Sequence, residues 1–191
     1  MGSALSISRK ISVHPSLILW ISILLYLQPR ISVAFLLAAS VHELGHWAAL
    51  TWLGTPPTHL TLHFTGASME IPPMGYSQAV LAYAAGPLAS LLLGLFWRIL
   101  PATALLSLCL GLFNLLPICG LDGSGILENL LCCRLTQSAA QTAVRILSAV
   151  LCAAIVPAAI WFAQVHALGL WLPMLALMLL AKSLNMVVSA R

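Results

Sequence analysis

The sequence predicts an all-α polytopic membrane protein of about six transmembrane helices, with one short membrane-associated hairpin between the second and third. Three observations carry that expectation. Hydrophobic residues make up 61% of the 191 and charged residues 6%, which leaves too few polar groups for a soluble surface. Apolar runs of spanning length recur at residues 11–27, 31–53, 77–97, 102–121, 144–165 and 168–188. The two longer connections, 54–76 and 132–143, both fall below the roughly 50 residues that a folded soluble domain requires. A single domain over residues 1–191, embedded in the bilayer, follows.

The first run begins after Arg9-Lys10, as a signal peptide would. No small-x-small cleavage pattern follows it, since Tyr26-Leu27-Gln28-Pro29-Arg30 intervenes, so it is read as a retained first span. Six spans with the N-terminus inside put Arg9, Lys10, Arg134, Arg145, Lys182 and Arg191 on or near the cytoplasmic face and leave Arg30 and Arg98 outside, in agreement with the positive-inside rule. The formal charge of +4 suits anionic lipid headgroups and gives no reason to expect a nucleic acid. The five cysteines have no Cys-x-x-Cys spacing, which excludes a disulfide scaffold; they read as small packing residues, with acylation of Cys132-Cys133 as the alternative.

The second span contains His42-Glu43-Leu44-Gly45-His46. On a helix this places two imidazoles at i and i+4 on one face, able to share a zinc ion, with the glutamate between them set to activate water. Shuffling this composition gives the pattern in roughly three chains per thousand. Inside a membrane such groups lack the water that would satisfy them, and by default they mark function rather than packing. Ala38, Ala39 and Ala49 share a side with the histidines and leave room for an ion and a neighbouring helix. In the third span Ala82, Gly86, Ser90 and Gly94 form a ladder of small residues, read as close helix packing.

A zinc hydrolase site needs a third protein ligand. His42 and His46 lie 12 and 16 residues past Arg30, about 18 and 24 Å along a helix. Asp122, 21 residues past Pro101, ends a fourth span running in the same direction as the second. Pro117 and Gly120 argue against a straight helix there, and a loosened turn would bring the carboxylate back to the depth of the imidazoles. The competing reading is a turn aspartate in Asp122-Gly123-Ser124-Gly125, just outside the lipid. Residues 60–71 alternate apolar and polar around Gly66 and form the expected hairpin. Its free edge, with Leu62 and Phe64, is expected to pair with an extended substrate.

Together these residues resemble the site-2 protease family of intramembrane zinc metalloproteases, peptidase family M50. His42–His46 matches the family's H-E-x-G-H. Asn114-x-x-Pro117-x-x-x-Leu121-Asp122-Gly123 matches its N-x-x-P-x-x-x-L-D-G, and Gly86-Pro87-Leu88-Ala89-Ser90 is similar to its Gly-Pro-rich span. The resemblance covers residues 30–130 and is nearest to the bacterial branch typified by stage IV sporulation protein FB. It implies one zinc ion per chain held by His42, His46 and Asp122, Glu43 as general base, and Asn114 as an accessory polar group, with Pro117 and Gly123 as further accessory or substrate residues. It also implies a bacterial cytoplasmic-membrane location and a membrane-embedded or membrane-associated protein substrate of the pro-sigma or anti-sigma type. The chain departs from that branch in reading Gly120-Leu-Asp-Gly-Ser124-Gly125 without an arginine and in carrying Ser90 where asparagine is frequent. No PDZ insertion and no CBS domain are expected.

The expected function is therefore zinc-assisted peptide hydrolysis near the cytoplasmic face. The rivals are a catalytically silent membrane scaffold, which would have no use for Glu43, and a metal transporter. A transport path would need polar groups along several spans, and the last two carry few beyond Arg145, Gln164, Lys182 and Asn185.

Overall fold

A computed structural model describes residues 10–13, 15–63 and 66–165. Phe64 and the expected sixth span at 168–188 lie outside the described residues. The chain divides into two compact units, 1–112 and 113–191.

The first unit opens with a departure from expectation. The apolar run at 11–27 is split into a strand, β1 (Lys10–Val13), and a helix, α1 (Pro15–Leu27). Proline at the first helical position fixes φ and lacks the N–H that a helix start leaves unbonded, so the helix begins there and no earlier. At 13 residues, α1 rises about 20 Å, less than the hydrocarbon layer of about 30 Å. Gln28 alone separates it from α2 (Pro29–Trp52), which again starts on proline. The Ser32 hydroxyl lies 2.8 Å from the carbonyls of both Leu24 and Gln28 and ties the two helices at the corner.

The hairpin is present as β2 (His59–His63) and β3 (Gly66–Glu70), antiparallel with His59 opposite Glu70 and Leu60 opposite Met69. It gains a third strand, because β1 pairs in parallel with β2 and gives the order β1-β2-β3. Strand alternation puts Leu60, Leu62, Met69 and Val13 on one face and Ser12, His59, Thr61 and Glu70 on the other. The Ser12 hydroxyl sits 2.9 Å from His59 Nε2 and donates to Thr61 Oγ1 at 3.1 Å across the parallel pair. Leu62 is thus on a central strand, both of whose edges are used within the sheet. This corrects the expectation that Leu62 offers a free edge; among the described residues that edge belongs to β3.

Two helices complete the first unit. The Gly75 N–H donates to Gln78 Oε1 at 3.1 Å and starts α3 (Tyr76–Gly94). A tight turn follows, in which the Arg98 guanidinium lies 5.5 Å from the Trp97 ring, a pairing typical of the membrane interface. Then α4 (Pro101–Asn114) packs back on α3, with the Ser107 hydroxyl donating to the Ser90 carbonyl at 2.9 Å.

In the second unit the helix expected to reach residue 121 stops at Asn114. Residues 115–121 are irregular, Pro117 ends the ladder and Gly120 takes φ +90°, a conformation that side chains with a Cβ avoid. The chain then forms α5 (Asp122–Cys132), a helix the sequence did not predict because two glycines in its first turn mask it. The α6 helix (Gln137–Val165) starts seven residues before the expected 144, since its polar first turns carry no hydropathy signal. The unit's core is Ile118, Leu121 and Cys152, with Phe113, Leu116, Leu151 and Ile155 against it. Partial burial, then the Glu128 carboxylate and Cys133 close by, push the Cys132 thiol above its usual range. It is a poor nucleophile at neutral pH.

Among the described residues, three helices are long and apolar enough to cross a membrane: Pro29–Trp52, Tyr76–Gly94 and Gln137–Trp161. α1 and α4 are apolar but shorter.

Candidate metal centre

The site is built first on α2. One helical turn separates His42 and His46, so their rings project from the same face, with centroids 4.9 Å apart and planes at 81°. His42 is 5% exposed, and His46 and Glu43 are half-buried. Glu43 projects about 100° around the helix from His42 and so flanks the pair instead of lying between them.

Each ring is fixed from behind by α3. His46 Nδ1 lies 2.7 Å from the Ala82 carbonyl. A carbonyl only accepts, so Nδ1 carries the proton and, in the neutral ring, the Nε2 lone pair points forward. His42 Nδ1 lies 2.9 Å from the fully buried Ser90 hydroxyl. The two Nε2 atoms converge to 3.3 Å. Two nitrogens on a tetrahedral zinc, each at about 2.05 Å, are about 3.3 Å apart. The imidazole pair therefore has the spacing of one edge of such a site. Gly86 makes this possible: a Cβ there would overlap the His46 imidazole. The ladder of small residues on α3 is the cradle of the histidines as well as a packing surface, a role that spacing along α3 alone could not reveal.

In the second unit Asp122 opens α5 and is half-buried. An acid in the first turn is favoured by the helix dipole. The turn in front of it is held by two devices. The Cys119 N–H donates to the Ser148 hydroxyl of α6 at 2.9 Å, in the core. Gly123 lies under the Leu115 and Leu116 carbonyls, where any Cβ would collide with them. Asn114 ends α4 and Pro117 lies in the irregular segment, both half-buried, so the whole N-x-x-P-x-x-x-L-D-G stretch is the break between two helices. Among the described residues, His42 and His46 are the candidate metal ligands of the first unit and Asp122 is the candidate of the second.

The family model of peptidase family M50 matches residues 94–157, which include Asp122 and the helix break. The fold is similar to that of the site-2 protease from Methanocaldococcus jannaschii, with a TM-score of 0.69 and 20% identity over 92% of this chain and 89% of the other. The likeness to the solved structure is one of fold, and the family model covers about a third of the chain. No curated protein matches its sequence significantly. The three long apolar helices fit a protein of the membrane. The His-Glu-Leu-Gly-His motif lies outside the matched residues, and its support is the geometry of α2 on α3.

Proposed function

We propose that this site-2 protease homologue hydrolyses peptide bonds of membrane-embedded or membrane-tethered proteins near the cytoplasmic face, with one zinc ion held by His42, His46 and Asp122. The observation that carries the reading is the 3.3 Å separation of the two Nε2 atoms, with both Nδ1 atoms engaged by α3. A zinc ion, when bound, makes water nucleophilic at neutral pH and polarises the scissile carbonyl. Glu43 would serve as the general base toward the attacking water and return the proton to the leaving amine. The helix break from Asn114 to Leu121 puts non-helical backbone inside an apolar stretch, which is tolerated in a membrane where the chain is buried in protein or lines a wet cavity, as hydrolysis requires.

Substrate must be extended to be cut, and among the described residues the outer edge of β3 carries no further strand and could take it. Adjacent residues of a strand point their N–H groups to opposite sides, so proline at 67 and at 68 forms a paired test. One of the two should cut turnover and leave zinc content unchanged; equal turnover in both would sink the edge-pairing idea. The N-terminus is placed in the cytoplasm, the membrane is bacterial, and a pro-sigma or anti-sigma type regulator is the substrate class of choice.

The deciding experiment compares purified wild type with Glu43→Gln in liposomes, assaying zinc content and cleavage of single-span and membrane-tethered substrates. Zinc in both, with turnover lowered about 10²- to 10⁴-fold in the variant, is expected. A folded wild type without zinc would overturn the reading.

A further inference from the structure

Resting on the reading of the histidines as metal ligands, we infer that Ser90 is a positioning residue that holds the His42 ring from behind and supports the tautomer presenting its Nε2 to the metal. The two imidazoles are not held alike. His46 has a backbone carbonyl behind it, an obligate acceptor, so its Nδ1 is protonated whatever side chain stands at position 82. His42 Nδ1 instead faces a side chain, the Ser90 hydroxyl at 2.9 Å. A hydroxyl can accept or donate, and its role here is set by the metal-facing requirement at the other nitrogen.

Both members of this contact are almost wholly removed from solvent, His42 at 5% and Ser90 at 0% exposure. Without the hydroxyl, a buried Nδ1–H would be left unbonded, and the ring would favour the tautomer with its proton on Nε2, where the ligand lone pair is needed. The rear of Ser90 is also anchored: its carbonyl accepts from the Ser107 hydroxyl, itself fully buried, at 2.9 Å. Ser107 bonds main chain that α3 already fixes, and the Ser90 side chain is what touches His42. The small-residue ladder therefore contains one member, Ser90, whose chemistry and not its size is what matters.

The test is titration of full-length protein in detergent with Co²⁺ as the probe, following the visible d–d bands and competing with a chelator. Ser90→Ala, almost isosteric, should lower affinity about 10- to 100-fold and alter the bands. Ser90→Thr, which keeps the hydroxyl, should restore most of it. Ser107→Ala removes an equally buried hydrogen bond with no atom on a histidine, and its affinity should stay within about twofold of wild type, outside the range that loss of a partner behind a metal-bound histidine produces. Wild-type affinity and spectrum in Ser90→Ala would overturn the inference and leave the metal site standing. Equal losses in Ser90→Ala and Ser107→Ala would also overturn it, because packing would then account for both. Absence of Co²⁺ binding by folded wild type would instead remove the metal reading, and this inference with it.

Discussion

The two units hold their candidate ligands by different means. In the first, the pair His42 and His46 rides on a 24-residue helix whose internal spacing fixes the rings, and α3 fixes their tautomers. In the second, Asp122 stands at the mouth of an 11-residue helix, where a broken segment sets its position. That segment is held by one buried hydrogen bond to α6 and by the absence of a side chain at Gly123. A helix-borne pair is local and tolerant of distant change. A ligand on a turn depends on everything that shapes the turn. Damage to the first unit should therefore show in metal binding before stability, and damage to the second in both together.

The largest effect should come from Gly86→Ala. The new methyl group overlaps the His46 imidazole, and displacing that ring should weaken metal affinity about 100-fold or more, measured by chelator competition. Unchanged affinity would show that α3 does not seat the ring. Gly123→Ala comes next. Its Cβ meets the Leu115 and Leu116 carbonyls, and relief of that overlap should lower stability by about 1–3 kcal/mol, with loss of bound zinc on the same denaturation curve. Zinc lost without any change in unfolding midpoint would break the contrast between the units. Ser148→Ala should act in the same direction and more weakly. It leaves the buried Cys119 N–H unsatisfied, a loss of about 1–2 kcal/mol read as a lower midpoint in detergent. Zinc affinity of the still-folded protein should remain near that of wild type.

The same contrast explains what was legible in the sequence. His42, Glu43 and His46 could be read because an i, i+4 pair on a helix is a local rule. Pro117 and Gly120 announced the break, and the chain does leave the helix between Asn114 and Leu121. The helix after the break was hidden, because its first turn is Asp122-Gly-Ser-Gly and its stability comes from packing on α6. Hydropathy also misread residues 11–27: Ile11 and Val13 are as apolar in a strand as in a span, and only the partner strand decides between them. The hairpin was visible from alternation, but that β2 would lie in the middle of three strands was not, since parallel partners leave no mark on each other's sequence.

The Ala82 carbonyl that orients His46 belongs to the main chain, so no side-chain replacement at that position can delete it. The hydroxyl that orients His42 belongs to one side chain, and one base change in its codon can remove it. A drifting lineage of this protein therefore has an easy way to detune one ligand and almost none to detune the other. Loss of that hydroxyl should weaken the support of one candidate ligand and leave the other's intact.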